Sequence, residues 1–170
     1  MFTPRQRLLL SIAAFVLGAY LLLIRNDYAG VVPLAGSALL AYGYFRYGTV
    51  WLAFREVAHG RMDAAAKLLA KVKNPEALGS EQRAYYELAS GLVCTSTAQN
   101  QRAEQHLQAA LTHQLRTDND RAMAEAVLAQ LLIARDQHAE ARALVDKAVT
   151  RNCRPSILER LKALQAELQG

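Results

Sequence analysis

Two cysteines, four histidines and a scatter of carboxylates are the side chains of this 170-residue chain that could do chemistry. Their spacing argues against it. Cys94 and Cys153 stand far apart with no CxxC around either, so they read as two reduced thiols and not as a disulfide framework or a redox pair. His59, His106, His113 and His138 include no HxxxH or HExxH spacing, and His106 and His113, seven apart, would lie about two helical turns from each other, too far to share one ion. Glu56 and Glu87 read as isolated carboxylates. No Ser/His/Asp or Cys/His arrangement and no phosphate-binding loop is present. The expectation is a protein that is not an enzyme, with no metal, no cofactor and no evident small-molecule substrate.

With no chemistry to position, the elements themselves carry the information. The formal charge is +5 and the mean hydropathy +0.01, but that mean averages two unlike parts. The first 45 residues hold only Arg5, Arg7, Arg25 and Asp27 as charges, which marks a boundary near Arg46–Thr49. Beyond it acidic and basic residues are interspersed, without the basic run or face that nucleic acid would require. No nucleic acid is expected as partner.

Residues 8–24 and 28–45 are two apolar segments without charge, joined by Arg25-Asn26-Asp27. Each is long enough to cross most or all of a hydrocarbon core of about 30 Å at about 1.5 Å per helical residue. Arg5 and Arg7 resemble the start of a signal peptide, but the apolar run continues through Leu21–Ile24 without a cleavage site. Two uncleaved transmembrane helices over 8–47, after a basic arm at 1–7, are expected. Arg5, Arg7, Arg46, Arg55 and Arg61 flank them on one side, so the positive-inside rule puts both termini in the cytoplasm. An N-in hairpin with no Ser-rich leader suits a bacterial inner membrane. Tyr42, Tyr44, Tyr47 and Trp51 are expected at the cytoplasmic headgroups. Small residues at Ala14 and Gly18, and at Gly36 and Gly43, are candidates for close helix packing in lipid, and Pro33 sits where a helix start tolerates it.

From Thr49 onward the chain is Ala- and Leu-rich and helical in pattern. Three segments align at one constant spacing, beginning at Ala65, Ala103 and Ala141. Each reads Ala, an aliphatic residue four on (Leu69, Leu107, Val145), then an apolar residue three further (Val72, Ala110, Ala148). Twelve upstream stand Ala53, Gly91 and Ala129, and Gly60, Ala98 and Asp136 fall at the intervening turn. Asp118 or Asp120 is expected to cap one helix, and Ser156-Ile157-Leu158-Glu159 to open a last helix as a capping box. On that helix Ile157, Leu161, Leu164 and Leu168 form one stripe.

This pattern resembles the tetratricopeptide repeat over 49–154: a small residue where two helices cross, a turn, then Ala-x-x-x-large-x-x-Ala. It departs in having a unit of roughly 38 residues against the usual ~34, and in lacking the repeat's Trp at its usual place. The resemblance implies an all-α fold, with a membrane hairpin, a three-unit α-solenoid (units around 49–75, 84–113 and 120–151, within 48–154) and a capping helix at 155–170. Stacked helix pairs would bury a core that no single pair can. It also implies a partner groove lined by the first helix of each unit: Phe54 and Val57, then Tyr85, Leu88, Leu92 and Ser96, then Met123, Ala126, Gln130 and Ile133. The Lys/Asn/Arg set that clamps a terminal carboxylate in some members is missing there, and an apolar groove suits an amphipathic or extended segment. Cys94, at the helix crossing, is expected to be buried and unreactive. The function so implied is a membrane-anchored adaptor binding a membrane-associated protein, with the bilayer itself as the other partner. The alternative is a structural accessory subunit or assembly factor held through the hairpin.

Overall fold

The computed structural model describes residues 4–23 and 28–169, except for the side chains of 4–9, 11, 29 and 40–47. Among these residues every regular element is helical: α1 (Pro4–Leu23), α2 (Val31–Ala58), α3 (Met62–Leu69), α4 (Ser80–Ser96), α5 (Asn100–Thr112), α6 (Asp118–Ile133), α7 (His138–Val149) and α8 (Pro155–Glu167). The expected all-α class is what is seen. The chain divides into two compact units, Met1–Thr49 and Val50–Gly170.

In the first unit α1 meets the 3₁₀ turn Tyr28–Gly30 and the start of α2. The approach is close because it is made by glycine. A Cβ on Gly18 would lie 2.7 Å from Leu34 Cγ and 2.9 Å from the Gly30 carbonyl, and one on Gly30 would lie 2.6 Å from the Gly18 carbonyl. Gly36, in contrast, has nothing within 4 Å of where a Cβ would be, Ala14 is half-buried, and the side-chain surroundings of Gly43 lie outside the described residues. Among the described residues no helix is long and apolar enough to cross a membrane. Parts of both expected spans, including Ile24, the Arg25–Asp27 turn and the side chains of Leu40–Phe45, lie outside the described residues, as do the Tyr42, Tyr44 and Tyr47 side chains. The expected boundary near Arg46–Thr49 does not interrupt α2, which runs through Gly48; one helical glycine costs only about 1 kcal/mol, too little to end a helix whose next turns pack well.

The second unit is a run of helix pairs made by one recurring turn. Gly60, Ala98 and Asp136 have φ of +75°, +55° and +60°. The N–H groups of Arg61, Gln99 and Gln137 donate to the carbonyls of Glu56, Cys94 and Leu132, at 2.9 Å in each case. The N–H groups of Gly60, Ala98 and Asp136 donate to Val57, Thr95 and Ile133. This pair of bonds is a Schellman ending, which satisfies the last carbonyls of one helix. The same Arg61, Gln99 and Gln137 then cap the following helix, with φ,ψ near −88°,70°, −85°,61° and −88°,57°. The period in sequence is thus a period in backbone geometry.

The turn brings the small positions together. Ala53, Ala65, Ala103, Ala129 and Ala141 are fully buried. At Gly91 the approach is close, since a Cβ there would lie 2.8 Å from Leu107 Cγ. One core cluster joins Ala53 and Val57 of α2 to Ala65 and Leu69 of α3 and Ala89 of α4. A larger one runs from Val50 through α4, α5, α6 and α7 to Leu161 and Leu164 of α8. The α8 stripe is seen as expected: Leu161 and Leu164 buried, Ile157 and Leu168 half-buried, the helix packing on α6 and α7.

Two caps differ from expectation. Thr117, not Asp118 or Asp120, is the N-cap of α6, its Oγ1 accepting the Asp120 N–H at 3.1 Å; both aspartates fall in the first turn, where negative charge suits the helix dipole. At α8 the capping box does not form. Pro155 starts the helix and Arg154 is the N-cap, without a side-chain cap bond, because proline is preorganised for the first helical position. Asn119 Oδ1 accepts the Arg154 N–H at 3.2 Å.

Candidate functional site

The ten residues expected to line a groove come from α2, α4 and α6, and the fold brings their side chains to different depths. Tyr85, Leu88 and Ala126 are fully buried and Val57 nearly so. Phe54, Leu92, Met123 and Ile133 are half-buried and packed against the core, while Ser96 is exposed at the end of α4, its hydroxyl donating to the Val93 carbonyl. Gln130 is taken by the cap helix, its Oε1 accepting a bond from Arg160 of α8. What remains open to a partner is the exposed Ser96 and the apolar edges of Phe54, Leu92, Met123 and Ile133.

Tyr85 is buried because three elements close on it. Trp51 lies 4.5 Å from its ring centroid and Phe54 4.9 Å, the latter edge-on, arrangements that aromatic quadrupoles favour. Its hydroxyl donates to Asp120 Oδ2 at 2.6 Å and accepts the Arg116 N–H at 3.3 Å, so the polar end of a buried ring is satisfied. Burial first, then the bond to Asp120, pushes the phenol well above its usual pKa. The Arg116 guanidinium sits 5.0 Å over the Trp51 ring, within cation–π range, and its Nη2 lies 2.6 Å from Glu81 Oε1. Trp51, expected at the headgroups, packs within the helical array on Tyr85 of α4 and beneath Arg116 of the α5–α6 connection.

The sequence reading missed a pair of buried carboxylates. Glu87 and Glu125 stand one period apart, at one register of the repeat, and both are almost completely buried. Glu87, expected to be isolated, accepts from Arg83 Nε at 2.6 Å and lies 2.6 Å from His106 Nδ1. Burial alone would push its carboxyl pKa up, but His106 and then Arg83 outweigh that, and the net direction is down. Glu125 is held bidentately by Arg151, at 2.7 and 2.9 Å. The bond to Glu125 is the main reason the Arg151 guanidinium is raised further above its usual value. A signal for both lay in the aligned period, Glu over Glu at 87 and 125. Their partners His106 and Arg151 come from later helices and carry no local signal. Glu56, half-buried, pairs with Arg61, which lowers its pKa.

Chemically these clusters are closed: each carboxylate or hydroxyl is occupied by a partner from this chain. Cys94 is half-buried, and burial raises its thiol pKa, which disfavours the reactive thiolate. Among the described residues no three of His, Cys, Asp and Glu gather as metal ligands would. The chain matches no family model, no curated protein and no solved structure.

Proposed function

We propose that the chain is a non-enzymatic adaptor of tetratricopeptide type, anchored by its N-terminal hairpin in a membrane, a bacterial inner membrane by the sequence pattern, with the array on the cytoplasmic side. The observation that carries the reading is where apolar surface is left uncovered. The exposed large hydrophobic side chains among the described residues all lie between Leu10 and Leu39, among them Phe15 (57 %), Leu23 (84 %) and Val32 (75 %). An extensive apolar surface of that kind marks a lipid or protein contact. The turn repeated at Gly60, Ala98 and Asp136, with small residues at each crossing, supports the tetratricopeptide resemblance. The half-buried edges Phe54, Leu92, Met123 and Ile133 are then the side chains offered to a membrane-associated protein.

The same exposed hairpin favours a second reading, an accessory subunit or assembly factor whose partners contact 10–39 directly. Co-purification in mild detergent separates the two. The adaptor reading expects partners to be lost from the full chain carrying Phe54→Ala and Met123→Ala, with its helical circular dichroism unchanged. Retention there, with loss on Phe15→Ser and Val16→Ser, would assign the contact to the hairpin and sink the adaptor. Topology is read by cysteine labelling: a cysteine at Asn26 should react from outside the cell and one at Gln169 should not.

A further inference from the structure

Charge in this chain is distributed unevenly along the array. Between 46 and 73, six basic residues meet two acidic ones, whereas from 74 to 170 eleven meet twelve. Lys67, Lys71 and Lys73 stand close together in sequence, and all three are exposed. Among the described residues none of the three has an ion pair or side-chain hydrogen bond. Further along, Arg83, Arg116, Arg135 and Arg151 are each matched by a carboxylate, and the other seven basic residues, without ion pairs among the described residues, are spread among the twelve acidic ones.

The placement follows from the helix. Ala65 and Leu69 of α3 face the core, and at about 100° per residue Lys67 stands on the opposite side. Lys71 lies just past the C-cap Ala70, in the closing turn, its N–H donating to the Leu68 carbonyl. Favourable interaction with a helix C-terminus accounts for cations in the last turn, but that effect falls off within the turn, and Lys73 lies well beyond Leu69. Three unpaired ammonium groups, each a compact and strongly hydrated point charge, match a surface of many mobile phosphates better than one shaped anion. The segment that carries them follows, in the chain, the one part of the described molecule with extensive uncovered apolar surface.

We propose that Lys67, Lys71 and Lys73 form a docking patch for anionic phospholipid headgroups. The proposal rests on the anchored reading above, since anchorage would hold the array beside the headgroups of the bilayer. Basic clusters close to a membrane segment act in this way.

The full chain, reconstituted with vesicles of phosphatidylcholine alone or mixed with phosphatidylglycerol, is floated on a gradient and then pulse-acetylated, with each lysine read by mass spectrometry. The expected result is flotation with both vesicle types and several-fold slower acetylation of Lys67, Lys71 and Lys73 on the anionic vesicles only, reversed by high salt. Lys147 and Lys162, also exposed, serve as internal references and should not change. Flotation without selective protection overturns the patch and leaves the anchor standing. Protection on anionic vesicles without flotation on neutral ones supports the patch and removes the anchor. Protection by an added polyglutamate peptide but not by anionic vesicles assigns the patch to an acidic protein segment and overturns the lipid proposal.

Discussion

From Val50 onward no described large hydrophobic side chain is exposed, whereas between Leu10 and Leu39 many are. Both regions are helical and rich in Leu and Ala, but the first 45 residues are nearly without charge, and the two regions cover their apolar residues differently. In the second unit the apolar residues are covered by neighbouring helices, α6 on nearly every side by α5, α7 and α8, and a turn returns the chain once per repeat to supply that cover. In the first, apolar residues surround the helix, and one glycine-mediated approach at Gly18 and Gly30 leaves most of them uncovered. A helix apolar all round needs a lipid or protein environment, and one apolar on a stripe needs only its neighbours.

The contrast breaks most sharply under truncation. Leu107→Ala removes a fully buried side chain seated against Gly91, and should cost about 2–5 kcal/mol of unfolding free energy. Leu17→Ala, at a half-exposed position of the hairpin, should change it by less than about 0.5 kcal/mol. Denaturant melts of both variants in the same mild detergent, followed by circular dichroism, test this. Equal effects would mean that the two regions do not differ as described.

The buried carboxylates give the next largest effect, and it depends on pH. Glu87→Gln keeps the shape but gives up charge-assisted bonds to His106 and Arg83, a class of bond worth about 1.5–3 kcal/mol each. Because the folded-state pKa of Glu87 lies below its ordinary value of 4.5, its contribution is present above that value and is lost as pH falls through the folded pKa. The stability gap between the parent chain and Glu87→Gln should therefore be present above the ordinary carboxylate range and close as pH falls through and below it. A gap that widens in acid would reverse the sign of the argument.

Much of the second unit could be read from residues alone because its determinants are local. The small residues at 53, 91 and 129, the alanines at 65, 103 and 141, and the turn positions at 60, 98 and 136 act within a helix pair, so their spacing carries them. Tyr85 was legible as a residue on the inner side of α4 but not as a closed one. Its burial depends on Trp51, far upstream in α2, and on Asp120, far downstream in α6, and no periodicity encodes such contacts. Glu125 is similar, its Arg151 partner lying beyond an intervening helix. Asp118 and Asp120 were plausible caps by type, but Thr117 holds the extended backbone that an N-cap requires.

Within the array, the crossings differ by one carbon. Ala53 and Ala129 have a Cβ where Gly91 has none, and a Cβ at Gly91 would lie 2.8 Å from Leu107 Cγ. Gly91→Ala should cost about 1–3 kcal/mol through overpacking. Pairing it with Leu107→Val, which shortens the opposing side chain, should recover part of that loss. Independent, additive losses would show that the two side chains do not meet.

The three turns offer the finest comparison, since they share one backbone geometry with a different residue at positive φ in each. A Cβ at Gly60 would meet nothing within 4 Å, so Gly60→Ala isolates the cost of a left-handed L residue, about 1–2 kcal/mol before the unfolded-state entropy that alanine saves is subtracted. Ala98, at φ +55°, already carries that cost, and Ala98→Gly should return about 1 kcal/mol or less of stability. Asp136, at φ +60°, should gain less on replacement by glycine than Ala98 does, because a short polar side chain tolerates this conformation better. Melting curves that rank Ala98→Gly above Asp136→Gly above the parent chain, with Gly60→Ala below it, would show that one backbone turn recurs three times and that its residue, not its setting, decides its cost. The opposite order for Ala98 and Gly60 would mean that the three turns are not equivalent.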